Sequence, residues 1–115
     1  MQIPKPTAKD KAYFQSIVPD GSGIEIKPMF GNLAAFVDGT MFMGLFGPDV
    51  GIRLSEEDRE RLLDVSGAGP FGPEGRPMKE YVSLPSVWRS KGGDTADWVE
   101  RARAFAAGLP PKKKR

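Results

Sequence analysis

The chain has 115 residues, of which 39% are hydrophobic and 28% charged, and it contains neither cysteine nor histidine. A chain of this length forms one domain that buries roughly two-thirds of its unfolded surface, and this composition is typical of a soluble globular protein. The missing residue types exclude disulfides, thiol nucleophiles, thiolate-held zinc and every mechanism that needs a histidine base.

The formal net charge of +2 is concentrated at the C-terminus. The last four residues hold four of the 17 basic side chains, which leaves 13 basic against 15 acidic side chains in residues 1–111. This slightly acidic body argues against binding of nucleic acid by the whole surface. The terminal cations favour a solvated tail, and weak, salt-sensitive contact with nucleic-acid phosphates is the alternative. They are Lys112, Lys113, Lys114 and Arg115.

The chain divides into a flexible arm at residues 1–6, a single domain at 7–109 and a basic disordered tail at 110–115. No apolar run approaches the roughly 18 residues that cross a bilayer, and the N-terminus lacks a secretory signal. We therefore expect a cytoplasmic protein without membrane contact.

The first helix is predicted directly after the arm. Thr7 and Asp10 have the spacing of a capping box, with Asp in place of the usual Glu. Behind them Tyr13, Phe14, Ile17 and Val18 form one apolar stripe at helical spacing. Pro19-Asp20-Gly21 then ends the helix.

Four strands are predicted next. Residues 24–27 alternate between apolar and charged, and Pro28 indicates an edge position or the end of a strand. Residues 33–37 and 40–46 flank Asp38-Gly39, the dipeptide that favours a type I′ hairpin turn. Because these two strands are apolar on both faces, we expect them at the centre of the sheet, with residues 50–54 as the fourth strand.

The remaining elements complete an α-β-β-β-β-α-β-α order. A second helix begins behind the N-cap Ser55, and a glycine- and proline-rich loop at 67–77 surrounds Phe71. The fifth strand is predicted at residues 78–84, and a last helix ends near Leu109. The fold class is therefore α+β: two layers, with a mostly antiparallel five-stranded sheet and the helices packed on one face.

Two short runs carry a resemblance to a known family. They are Lys27-Pro28-Met29-Phe30-Gly31 and Phe36-Val37-Asp38-Gly39-Thr40-Met41-Phe42, and Pro70-Phe71, Gly75-Arg76-Pro77-Met78, Tyr81 and the final helix follow in the expected order. Together they resemble the TfoX N-terminal domain family, the first half of bacterial competence regulators. In these regulators a second, C-terminal domain follows, so this chain is interpreted as a stand-alone N-terminal half.

The resemblance implies a non-enzymatic regulatory or protein-interaction module that acts in transcription, with no catalytic residue, metal or cofactor. We expect a protein partner that the sequence does not identify, and a monomer or homodimer. One alternative is a small ligand-binding domain or an enzyme that uses carboxylates, Lys79 or Tyr81. Another is a weak nucleic-acid binder that acts through residues 112–115.

The family-motif residues are interpreted as structural rather than as a binding surface. They are Met29, Phe30, Gly31, Asp38, Gly39, Met41 and Phe42, and we expect the Met and Phe side chains to fill the core. Arg53 is expected to point to solvent from one face of its strand. The acidic residues 56–58 are explained by the positive N-terminal end of a helix better than by a bound cation.

Overall fold

The structure is a computed structural model that describes residues 5–29, 31–72, 75, 78–91 and 94–109. The predicted basic tail, most of the predicted arm and the motif residue Phe30 lie outside the described residues. The helices are α1 (Ala8–Ile17), α2 (Glu56–Leu63), α3 (Trp88–Lys91) and α4 (Thr95–Ala107). The strands are β1 (Ile24–Met29), β2 (Asn32–Val37), β3 (Thr40–Phe46), β4 (Asp49–Arg53), β5 (Gly69–Pro70) and β6 (Tyr81–Ser83).

The strands form one antiparallel sheet in the order β1-β2-β3-β4-β6-β5. The predicted α+β class is confirmed, and β2 and β3 lie inside the sheet as expected. Three details differ from the prediction, and one of them is the short helix α3, which was not predicted. A two-residue strand, β5, forms within the predicted loop, and the predicted strand at 78–84 is reduced to β6. Pro28 lies in the edge strand β1, where a missing N–H is tolerated.

Three helices pack against one face of the sheet and form the core with it. The strands contribute alternate side chains to this face, because successive residues of a strand point to opposite sides. The largest side chains with no exposure above 2% are Phe14, Phe42, Met43, Ile52, Leu54, Leu62, Val82 and Val99. The helices α1, α2 and α4 and the strands β3, β4 and β6 supply all of them except Leu54, which directly follows β4.

The turn between β2 and β3 has the predicted geometry. Asp38 and Gly39 have φ angles of 50° and 85°, the positive values that a type I′ turn needs at both central residues. Beyond the turn the pairing shifts between Ala35 and Phe36, so that Phe42 is an extra residue in β3. This β-bulge turns Phe42 and Met43 toward the helices, although they are neighbours in sequence.

The capping box of α1 is confirmed and is joined to α3. The Thr7 hydroxyl accepts from the N–H of Asp10 at 3.1 Å, and the Asp10 carboxylate accepts from the N–H of Thr7 at 2.8 Å. Arg89 forms an ion pair with Asp10 at 2.7 Å and lies over the ring of Tyr13. The backbone hydrogen bond from Thr7 and the Arg89 guanidinium lower the pKa of Asp10. This contact fixes α1 against the segment that precedes α4.

Candidate functional site

The sheet has a second face, which points away from the helices that cover the first. We call it the open face. The registers place Lys27, Phe36, Met41 and Arg53 on it, together with the two glycines Gly44 and Gly51, which lie opposite each other on β3 and β4. A sheet in an α+β protein buries one face against helices, so the other face is available for another role.

Part of the open face is covered by Phe71, which follows β5 and crosses the sheet above the two glycines. A Cβ atom at Gly51 would lie 2.2 Å from Cγ of Phe71, and one at Gly44 would lie 3.5 Å from the ring. The ring is 3% exposed and contacts Phe46 edge-on at 6.2 Å between centroids. The glycines are therefore the surface on which this aromatic ring rests.

Beside Phe71 the open face forms a groove of about 580 Å³. Three methionines and two aromatic rings supply its apolar lining, and three charged side chains lie along it. The groove residues are Met29, Phe36, Gly39, Met41, Arg53, Met78, Lys79, Glu80 and Tyr81. Flexible thioethers next to rigid rings can adapt to apolar side chains of different shapes.

An ion pair forms the polar centre of the groove. Two nitrogens of Arg53, Nε and Nη2, each lie 2.7 Å from the same carboxylate oxygen of Glu80. The Arg53 side chain is 23% exposed, so this pair is partly withdrawn from water. Arg53 lies on the expected side of β4, but Glu80 binds it there, so it does not extend freely into solvent.

The carbonyl of Met41 is the second polar feature of the groove. It accepts from Nη1 of Arg53 at 3.4 Å and from the hydroxyl of Tyr81 at 3.3 Å. Met41 immediately precedes the bulged residue Phe42, and a bulge interrupts the regular ladder of backbone hydrogen bonds. The bulge thus both redirects Phe42 into the core and supplies an acceptor that holds two groove side chains in place.

The residues of the enzyme alternative, Lys79 and Tyr81, both line the groove. Burial raises the pKa of Tyr81 to about 12, so its phenol stays protonated at neutral pH. The Tyr81 hydroxyl also donates a hydrogen bond to the Met41 carbonyl, so it does not act as a free base. A general base works best with a pKa near the operating pH, and Tyr81 is shifted away from that range. The geometry therefore does not favour proton abstraction by this residue.

Carboxylates give the enzyme or metal alternative no further support. Among the described residues, the carboxyl groups with a clear shift are Asp10 and Glu100, and in both the pKa is lowered by an arginine or by backbone hydrogen bonds. Paired catalytic acids need one raised pKa. Glu56, Glu57 and Asp58 lie in the first turn of α2 behind the N-cap Ser55, and no group of three acidic side chains in the described ranges is placed to hold a metal ion.

The motif residues divide between the two faces of the sheet. Phe42 lies in the core with 0% exposure, as expected. Met29 and Met41 line the groove and are half-buried, which differs from the expectation that they fill the core. Gly31 has a φ of 81° in the β1–β2 turn, and Asp38 and Gly39 form the next turn. Two side chains of the motif, Met29 and Met41, therefore lie on the open face, and Asp38 and Gly39 form the turn between β2 and β3.

Sequence reasoning missed the contacts between Arg53 and Glu80 and between Phe71 and the glycines. The first pair is 27 residues apart and has no local signal. The second had one: Gly44 and Gly51 stand in the middle of strands, where glycine often marks the close approach of another group. Asn32 gives a similar link, because its buried side chain accepts from the N–H of Gly47 at 2.9 Å.

These features define a small two-layer α+β module with one helix-covered face and one open, grooved face. In the described residues no helix is long and apolar enough to cross a membrane. The family model of the TfoX N-terminal domain matches residues 16–106, most of the chain, so the protein belongs to this family. No curated protein matches the chain closely enough to count as a relative.

Proposed function

We propose that the chain is a non-enzymatic regulatory module that binds another protein through the groove of the open face. Family membership supports a module like those of competence regulators. The observation that carries the proposal is the groove itself, a concave surface of about 580 Å³ with an apolar lining and a fixed ion pair. The regulated process would be transcription, as in the regulators that give the family its name.

The lining indicates the chemistry of the partner. Met29, Met41 and Met78 offer adaptable apolar contacts, and Phe36 offers a ring face that Lys27 covers at 5.3 Å from its centroid. Interfaces depend on a few apolar or aromatic anchors that enter such pockets. We therefore expect a partner segment with one or two large apolar side chains.

The charged side chains at the rim of the groove favour a partner segment that also carries an acidic residue. Lys79 is exposed and forms no ion pair within the described residues, whereas Arg53 is neutralised by Glu80. Lys27 is 57% exposed and lies 3.7 Å from Glu25. An acidic residue beside the apolar anchor would gain a favourable contact with Lys79, and electrostatic complementarity of this kind mainly increases association rate and specificity.

Site-specific photo-crosslinking in cells tests this proposal. A photoreactive phenylalanine analogue at position 36 should capture a defined partner, and the same analogue at position 87, which is 58% exposed outside the groove, serves as the matched control. The partner should then bind the purified chain, and Lys79→Glu should weaken that binding without changing thermal stability. Equal capture at both positions, an affinity unaffected by groove substitutions, or turnover of a substrate would contradict the proposal.

A further inference from the structure

The edge strand β1 carries a second, independent surface. Its residues Glu25 to Pro28 are all exposed, and Ile26 is one of three large hydrophobic side chains exposed in the described part of the chain. Natural proteins usually protect such an edge, since its unpaired backbone groups can bind another strand. In β1 this protection is only partial, and the backbone groups and side chains that remain exposed favour one kind of partner.

The hydrogen-bond phase of β1 follows from one contact at its start. The N–H of Asp38 donates to the carbonyl of Gly23 at 2.9 Å, so the backbone N–H and C=O of Gly23 point toward β2. Backbone groups alternate in direction along an antiparallel strand. The N–H and C=O groups of residues 25 and 27 therefore also point toward β2, and those of Ile24, Ile26 and Pro28 point away from the sheet.

Only one of these three outward residues has a donor to offer. Proline has no N–H, and the N–H of Ile24 donates to the carbonyl of Gly21 at 3.3 Å. Ile26 thus has both an outward N–H and an outward C=O. A second strand can pair with this edge when it presents an N–H and a C=O of its own to Ile26.

A second copy of β1 meets this requirement. If two β1 strands run antiparallel with Ile26 opposite Ile26, the two residues exchange both hydrogen bonds. A shift of the register by two residues in either direction also leaves two interchain bonds, because each Ile26 N–H then donates to the carbonyl of Ile24 or Pro28 in the other copy. Hydrogen bonds therefore do not distinguish these registers. The charges of β1 do, and they favour Ile26 opposite Ile26, because the shifted registers place Glu25 opposite Glu25 or Lys27 opposite Lys27.

The charges of β1 are complementary in that same register. Glu25 and Lys27 flank Ile26 on the open face, with side chains 62% and 57% exposed. In the symmetric pair, Glu25 of each copy lies opposite Lys27 of the other, so two cross-strand ion pairs form. Opposite charges in directly facing positions stabilise a strand pair, and like charges destabilise it. The intrachain contact between them, at 3.7 Å, joins exposed side chains and is of the kind that contributes little to stability.

The helix side of the edge can accommodate the apolar contact. Ile26 points to this side and is 37% exposed, and a hollow of about 330 Å³ next to it is lined by Gln15, Val18, Pro19 and Ile24, among others. The Ile26 side chain of a second copy would enter the space beside this hollow.

We propose that the protein forms a two-fold homodimer through β1, with Ile26 opposite Ile26 and Glu25 opposite Lys27. The two sheets become one continuous sheet of twelve strands in the described residues, and the two open faces lie on the same side. The groove stays free, so the dimer would present two copies of it to a partner. This inference does not depend on the proposed function.

Charge reversal and mixing test the proposal by analytical ultracentrifugation over a range of concentrations. Glu25→Lys makes all four facing charges positive, and Lys27→Glu makes them all negative, so each variant should dimerise at least about tenfold more weakly than the wild type. Mixed together, the two variants should form a heterodimer, because every facing pair is then opposite in charge. The double variant E25K/K27E should dimerise like the wild type.

The mixing experiment separates an interchain from an intrachain effect, since neither variant has the Glu25–Lys27 contact within its own chain. Val87→Glu changes an exposed apolar residue elsewhere and should leave the dimer unchanged. A monomeric wild type at all concentrations would overturn the proposal. So would a dimer that is insensitive to both charge reversals, or variants that fail to associate when mixed.

Discussion

The two faces of the sheet use the same types of residue for different purposes. On the helix-covered face, Phe42 and Met43 are 0% exposed and fill a core closed by three helices. On the open face, Met41 and Phe36 are half-buried and line a groove, and Phe71 covers the neighbouring glycines. Composition therefore does not distinguish a core strand from a binding surface. The β-bulge at Phe42 decides which side each residue takes.

The largest expected effect on stability distinguishes Phe42 from its neighbour Met41. Phe42→Ala should lower the free energy of unfolding by ~3–5 kcal/mol, because it leaves a cavity in a closed core. Met41→Ala should cost about 1 kcal/mol, since its side chain is already half-exposed. Urea denaturation of both variants measures the difference. Equal losses would mean that the open face is as tightly packed as the core.

A second comparison concerns the glycines under Phe71. Gly51→Ala should cost ~1–3 kcal/mol, because its Cβ would overlap the ring and the ring must move. Gly44→Ala should cost less, since the nearest atom is the mobile methyl group of Met41 at 2.8 Å. Gly69→Ala, with open space around its Cβ position, is the matched control and should stay within about 0.5 kcal/mol of the wild type. The same loss at all three positions would show that Phe71 does not rest on the glycines.

On the helix side, Asp10→Asn should cost about 1–2 kcal/mol at pH 7, because it weakens both the helix cap and the ion pair with Arg89. The folded-state pKa of Asp10 is lowered, so its contribution is present above the unfolded pKa of about 3.9 and is lost as the pH falls through the folded value. The difference between wild type and variant should therefore shrink below about pH 4. Asp20→Asn, at an exposed position, provides the control. A difference that stays constant down to pH 2 would contradict the assignment.

The smallest effect at neutral pH belongs to Tyr81. Tyr81→Phe removes one hydrogen bond to the Met41 carbonyl and should cost about 1 kcal/mol or less. Because burial raises its folded pKa to about 12, the protonated phenol contributes stability below the unfolded pKa of about 10, and this is lost as the pH rises toward 12. In a Tyr13→Phe background, ultraviolet absorbance should show tyrosinate forming near pH 12. A midpoint near 10 with the fold intact would mean that Tyr81 is solvated.

Local signals in the sequence predicted most of the fold, because its elements are specified by neighbouring residues. Thr7 and Asp10 marked a helix start and Asp38-Gly39 a type I′ turn, and the structure has both. Pro28 indicated an edge position or a strand end, and β1 lies at the edge of the sheet. The positions of α1, α2 and α4 followed from cap residues and hydrophobic periodicity, and the helix-covered face from the predicted antiparallel sheet. Each of these features is caused by residues that lie within a few positions of it in the sequence.

The groove was beyond that reasoning, because it depends on contacts between distant residues. Glu80 reaches Arg53 across the sheet, and Phe71 returns to it after β5. The assignment of Met41 to the core relied on its residue type, and the bulge at Phe42 places Met41 on the open face while Phe42 and Met43 face the helices. A single inserted residue shifts every later side chain to the other face, and no pattern of period two can reveal it.

The opposite edge of the sheet has a consequence for how far association can proceed. It is formed by β5, only two residues long, and one of them is Pro70, which has no backbone donor. Another chain has little to pair with there, so a sheet extended through β1 ends after two copies. A closed pair of molecules, rather than an open filament or an amyloid-like stack, is then the natural limit of growth, and Pro70 is the residue that sets it.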